Sequence, residues 1–129
     1  MIDRRMFLVA GSAALTARGA NDRLNIGVVG VRGRGRDHIA EYVKSSNARV
    51  AALCDIDSAV LEKSMAETTK QQGEAPKAYA DFRKMLESKD IDAVSIATPN
   101  HWHALMAVWA CQTGKDVYVE KPASHTLWE

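Results

Sequence analysis

The chain has almost no net charge: 17 basic against 16 acidic residues leave +1 across 129 residues. That balance gives no global field to hold a nucleic acid or an anionic membrane, so any phosphate site must be local. Cysteine is scarce as well, with only Cys54 and Cys111 present. Each lies inside an apolar segment, so both read as small buried thiols and not as a disulfide framework. No apolar run approaches the roughly 20 residues needed to cross a bilayer. Repeats and low-complexity tracts are missing too. What is there, 47% hydrophobic and 26% charged residues, is globular composition with room for one domain and no second of similar size.

The stretch from Phe7 to Ala17 is apolar except for Gly11, Ser12 and Thr16, with Arg4 and Arg5 before it and Arg18 after it. It suits the h-region of an export signal, and Arg4-Arg5-x-Phe7-Leu8 resembles the twin-arginine type. Residues 1–20 are therefore expected to direct export to the periplasm, leaving a mature domain over 21–129 with no stable membrane span. An N-terminal amphipathic helix of the mature fold is the alternative, and without use of the signal the protein stays cytoplasmic.

Beyond this point strand and helix patterns alternate. NIGVVG (25–30), ARVAALC (48–54) and IDAVSIAT (91–98, ended by Pro99) are continuous apolar runs of strand type. A weaker strand near 77–79 and DVYVE over 116–120 join them. Helical spacing links Ile39, Tyr42 and Val43, then Val60, Leu61, Ser64 and Met65 behind Asp57 as N-cap, then Phe82, Met85 and Leu86 behind Asp81. Over 101–113, Ala104, Leu105, Val108 and Cys111 form one stripe, closed by Gly114. This alternation predicts βαβ units and an α/β fold with a Rossmann-type, doubly wound parallel sheet.

At the first strand-to-helix junction, GVVGVRGRGRDH supplies Gly30, Gly33 and Gly35. A dinucleotide site needs a tight turn there, close backbone approach to the pyrophosphate, and a helix N-terminus offering N–H donors. In the G-x-G-x-x-G frame of Gly30, Arg32 and Gly35, arginine replaces the middle glycine and Gly33 is added. Asp55 follows Gly35 by about 20 residues, at the end of the next strand, where a carboxylate can accept hydrogen bonds from the adenosine ribose and repel a 2′-phosphate. NAD is thereby favoured, with NADP left open. Asp55 can equally be a turn residue, since Asp57 stands beside it. Arg32, Arg34 and Arg36 read either as a solvated basic turn or as phosphate contacts. Next to Asp37 they make no basic stripe with interleaved aromatics, so nucleic acid is not an expected partner.

Thr98, Pro99, Asn100, His101, Trp102 and His103 follow the third strand, at the carboxyl edge where doubly wound folds bind ligands. The two histidines are too close in sequence to share a helix face, and no Cys or acid completes a set, so no metal site is expected.

GVVGVRGRG, CDID, ATPNHWH and VEKP, in this order and spacing over about Leu24 to Glu129, resemble the glucose-fructose oxidoreductase, inositol dehydrogenase and rhizopine catabolism (Gfo/Idh/MocA) family. The resemblance implies an NAD(P)-dependent oxidoreductase that moves a hydride between a sugar, cyclitol or related polyol and nicotinamide. It implies pyrophosphate contact by Gly30, Gly33 and Gly35, with Arg32 in the same turn as a departure from the glycine pattern. Asp55 is implied at the adenosine ribose and Thr98, Pro99 and Asn100 on the nicotinamide side. His103 matches the family's histidine after Pro-Asn, and Glu120 and Lys121 match the Glu-Lys-Pro motif. Lys121 is then the catalytic residue, its ammonium stabilising negative charge on the reacting oxygen, with Glu120 placed to pair with it. Otherwise Lys121 is a surface lysine and Pro122 a turn residue. Pro122 restricts Lys121 to extended backbone and permits a cis peptide, and the residues do not choose between these.

The family's second, sheet-containing substrate domain does not appear in the sequence. Thr126-x-x-Glu129 has capping-box spacing at a point where the sequence stops. Both features predict a fragment of a longer protein, or a gene cut short, inactive alone; the full-length protein is expected to be a homo-oligomer. Three other readings stand beside this one: a glycosidase of the same superfamily using NAD for transient oxidation, a non-catalytic dinucleotide-binding module, and a methyltransferase, for which the VEKP strand has no role.

Overall fold

The computed structural model describes residues 23–129, so the export signal expected over 1–20 lies outside the described residues. Five strands, β1 (Leu24–Val29), β2 (Ala48–Cys54), β3 (Lys77–Tyr79), β4 (Ala93–Ile96) and β5 (Asp116–Val119), form one sheet in the order β3-β2-β1-β4-β5. Every pairing is parallel. The helices are α1 (Arg34–Lys44), α2 (Ser58–Gln72), α3 (Phe82–Leu86) and α4 (His103–Gln112), with a 3₁₀ turn over Asn100–Trp102 before α4. The sheet is the Rossmann-type α/β architecture that the alternation of patterns predicts.

Helices cover both faces, which is why the central strands read as unbroken apolar runs. Side chains of a strand alternate in direction, so adjacent residues of β1 serve different cores. Ile26 and Val28 pack with Val50 and Leu53 of β2, Ile39 of α1 and Leu61 of α2. Val29 packs with Ala52, Cys54 and Ile96, against Phe82, Met85 and Leu86 of α3 and Ala110 of α4. Burying each large aliphatic chain, such as Leu53 or Ile96, contributes about 1.5–3 kcal/mol.

Local chemistry sets the helix ends. The Asp57 carboxylate accepts from the N–H groups of Ala59 and Val60 at the start of α2, and Asp81 accepts from Arg83 N–H at the start of α3. Gly73 and Gly114, with φ of 80° and 76°, follow α2 and α4 in the left-handed region that a helix exit favours.

Four expectations are corrected. Of the stripe read on α4, Leu105, Val108 and Cys111 face outward, and His103, Met106, Ala107 and Ala110 turn inward. This helix is apolar on nearly every side, so periodicity does not select a face. Cys111 is consequently exposed, while Cys54 is buried as expected. The third strand is also shorter than its apolar run. After Tyr118 and Val119 the chain continues in bends and turns, where Glu129 accepts from the N–H of His125, not Thr126.

Among the described residues no helix is long and apolar enough to cross a membrane. The chain leaves β1 toward β2 and β3, then returns to the other side of β1 for β4 and β5. The reversal opens a crevice at the carboxyl ends of β1 and β4, the place where such sheets bind ligands.

Candidate functional site

The β1–α1 turn is shaped by backbone contact. Gly30 has φ of 80° and donates its N–H to Cys54 O at 2.9 Å, tying the ends of β1 and β2 together. A Cβ on Gly30 would lie 2.7 Å from Ala97 O, and one on Gly35 only 1.7 Å from Gly30 O. Gly35 is therefore required by the packing of α1 onto the strand end. Gly33 differs: its φ is 52°, but a Cβ there would meet nothing within 4 Å. Its requirement is torsional, and its outer side is open. No side chain caps the α1 start; Gly35 and Arg36 donate their N–H groups to Arg32 O and Gly33 O, and the N–H groups of Gly33 and Arg34 are left for an anion.

The two aspartates beyond β2 have different work. Asp57 caps α2 with Oδ1 and takes the Arg32 guanidinium on Oδ2 at 2.6 Å. Asp55 accepts from Val31 N–H on Oδ2 at 3.1 Å and from Asp57 N–H on Oδ1 at 3.0 Å, keeping a lone pair on each oxygen. Asp55, and not Asp57, lines a cleft of about 540 Å³ with Gly30, Ile56, Thr98, Pro99, Trp102 and Met106. The cleft has the size and mostly apolar lining of a small-molecule site. The other arginines of the turn also reach acids, Arg34 to Asp37 and Glu120, Arg36 to Glu67. The Arg36–Glu67 pair, exposed on both sides and 4.0 Å apart, leaves Arg36 free to exchange partners.

At the end of β4, Thr98 and Pro99 border the cleft and Asn100 opens the 3₁₀ turn, exposed. His103 is only 1% exposed. Its Nε2 lies 2.8 Å from Thr98 O and its Nδ1 2.7 Å from Pro122 O. Carbonyl oxygens only accept, so the ring N–H donates to one of these carbonyls, and the tautomer decides which. Both ring nitrogens thus face main-chain carbonyls, and the side chain ties two loops together. His101 stays exposed beside Trp102. Among the described residues no three His, Cys, Asp or Glu side chains converge as a metal set would.

Glu120 does not pair with Lys121 as expected. Its Oε1 accepts from His38 Nε2 at 2.7 Å and from Arg34 Nε at 2.9 Å. These bonds, His38 first and Arg34 next, hold its carboxyl below the usual carboxylate range. His38 continues to Ser95 Oγ at 2.9 Å, and Ser95 accepts from Tyr42 Oη at 3.1 Å. Sequence reasoning missed His38 and Ser95. Two signals were there to use: a serine in the middle of the apolar β4 run, and a histidine four residues after Arg34 on one face of α1. Lys121 itself is exposed, and the Lys121–Pro122 peptide is cis.

The sequence profile of the Gfo/Idh/MocA oxidoreductases, a family described by its NAD-binding Rossmann fold, matches residues 24–129. A glycosyl hydrolase family 109 protein of Shewanella sp. (strain W3-18-1) is 34% identical over 112 residues, covering 84% of this chain and 24% of the relative. The structure of an NAD binding oxidoreductase from Klebsiella pneumoniae shares 35% identity at a TM-score of 0.68, over 79% of this chain and 28% of its own. Myo-inositol dehydrogenase from Lactobacillus casei, solved with NAD(H) and myo-inositol, shares 30% identity at a TM-score of 0.76, over 82% of this chain and 30% of its own. The chain spans about a quarter of the length of the curated relatives it matches.

Proposed function

The chain belongs to the Gfo/Idh/MocA oxidoreductase family as its NAD-binding Rossmann domain, and on that premise we propose that it is the cofactor half of an enzyme moving a hydride between a sugar, cyclitol or related polyol and nicotinamide. The observation that carries this reading is the meeting of the Gly30 turn, Asp55 and Thr98 on one cleft at the carboxyl edge of the sheet. The polyol class is supported by the solved relative that holds myo-inositol.

When bound, NAD supplies the hydride acceptor at its nicotinamide ring. The chain's own residues bind, orient and stabilise. The uncapped start of α1 and the open backbone at Gly33 hold the pyrophosphate. The remaining lone pairs of Asp55 accept from the adenosine ribose hydroxyls. Arg32, occupied by Asp57, is drawn away from a 2′-phosphate, which favours NAD over NADP. Thr98, Pro99 and Asn100 line the nicotinamide side. The Lys121 ammonium donates to the substrate oxygen and stabilises the negative charge it gains, an effect of about 10²–10⁴ in rate.

The test is a sugar and cyclitol panel given to the full-length protein with NAD, followed by the absorbance of reduced nicotinamide. Loss of turnover by about 10²-fold or more in Lys121→Ala is the expected result. Failure of the wild type to bind NAD overturns the reading. The name of the Shewanella relative supports a second reading, a glycosidase that oxidises its substrate only transiently. It ranks behind the first because the family and both solved relatives are oxidoreductases. Cleavage of a glycoside with no accumulation of reduced cofactor separates the two. Residues 1–20 are assigned to twin-arginine export and 21–129 to the NAD-binding domain, so exchanging Arg4 and Arg5 for lysine is expected to keep the protein in the cytoplasm.

A further inference from the structure

Glu120 and Pro122, the two neighbours of Lys121, are each held by a buried histidine. The two histidines reach them from opposite faces of the sheet. His38 stands on α1, whose Ile39 packs with Val28, and His103 opens α4, whose Ala110 packs with Val29.

We propose that His38 and His103 are positioning residues that bracket Lys121 and fix the backbone from which its ammonium is delivered to the substrate. The proposal rests on the role given to Lys121 above. An exposed lysine has a long, freely rotating stem, so only its backbone can be set in advance. On one side of it, the Glu120 carboxylate is gripped by His38 and Arg34, while Glu120 N–H bonds to Ile96 O at 3.1 Å. On the other, Pro122 O is gripped by His103 at 2.7 Å, and the same ring holds Thr98 O at the end of β4. Both ties therefore lead back to β4, the strand that borders the cofactor cleft. Movement of Lys121 relative to the nicotinamide side would have to break one of them.

A carboxylate only accepts, so His38 donates from Nε2 to Glu120. Ser95, which is 0% exposed, accepts from Tyr42 and has His38 Nδ1 as the acceptor for its own hydrogen. His103 faces two main-chain carbonyls, one on each ring nitrogen. No buried side-chain N or O among the described residues lacks a partner. The bracket thus has one histidine that joins a carboxylate to a hydroxyl and one that joins two carbonyls.

Long-range ¹H–¹⁵N spectra of the imidazole rings, recorded on the 129-residue chain, are expected to show an N–H at Nε2 of His38, donated to Glu120. In His38→Ala and in His103→Gln, the Lys121 backbone amide should shift and lose order, while the Gly73 amide at the end of α2 stays in place. Glu120→Gln, which keeps an acceptor oxygen for His38, should hold the Lys121 amide near its wild-type position where Glu120→Ala does not. In the full-length enzyme, His38→Ala should lower kcat about 10- to 100-fold with NAD affinity within about twofold of wild type. An unchanged Lys121 amide in His38→Ala overturns the proposal, and that variant decides alone if His103→Gln fails to fold. If the wild type binds no NAD, the proposed function falls while the amide measurements still judge the bracket.

Discussion

Around Gly30 the carboxyl edge is made of main chain, and around Lys121 it is made of side chains reaching across the sheet. In the first region Gly35 sits against Gly30 O, and Gly30 against Ala97 O, with no room for one more carbon. In the second, carboxylate, imidazole and carbonyl groups meet at 2.7–2.9 Å. A backbone contact has no slack, because neither partner can rotate away. A side-chain contact can be rebuilt by another donor of similar reach. The two regions should therefore fail differently.

The largest effect is expected at Gly35. Gly35→Ala puts a carbon where a carbonyl oxygen stands and should cost on the order of 3 kcal/mol or more, read as a drop in the urea midpoint. Gly33→Ala, in the same turn but facing open space, meets only the torsional penalty of its positive φ, about 1–3 kcal/mol. Equal losses at the two positions would break the distinction between crowding and torsion.

Asp57→Ala comes next. Removing an N-cap costs about 1 kcal/mol, and the change also releases Arg32 from its 2.6 Å contact. The expected result, by fluorescence titration, is a rise in NADP affinity relative to NAD. No movement in that ratio would separate Arg32 from cofactor choice.

The smallest effect concerns Glu120 and is a matter of pH. Its carboxyl is held low in the folded protein by His38 and Arg34. A lowered folded-state value means stability that is present above the unfolded carboxyl pKa of about 4.3 and lost as pH falls through the folded value. Wild type should thus lose more stability than Glu120→Gln as pH falls from about 5 toward 3. Parallel stability curves for the two proteins would sever the link between the Glu120 charge and its partners.

What could be read from the sequence divides along the same line. Gly30, Gly33 and Gly35, the Asp57 and Asp81 caps and the order of strands are local matters, in which neighbours in sequence are the physical cause. The inward face of α4 could not be read, since a helix with Leu105, Val108, Met106 and Trp109 around its circumference has no polar side to mark the outside. Nor could the partner of Glu120. Lys121 is adjacent in sequence, but side chains of successive residues after a strand point apart, and His38 is brought in by the pairing of β1 with β4. His103 was legible as a residue of the site and not as a tie between loops, because its acceptors are main-chain carbonyls and leave no pattern in the sequence.

The parallel order of the sheet also gives the site a sequence of assembly. The Val31–Asp55 bond closes a loop of 24 residues, and the His38–Glu120 bond one of 82. By the logarithmic cost of loop closure, the second begins about 1 kcal/mol behind the first. The Gly30–Asp55 side can form within a single βαβ unit, while Lys121 waits for β4 and β5 to dock. In pulsed hydrogen exchange during refolding, Val31 N–H should become protected before Ala97 N–H, which bonds to Val29 O across the β1–β4 junction. On this account the nucleotide-facing turn matures early, and the reactive lysine is among the last groups to be set.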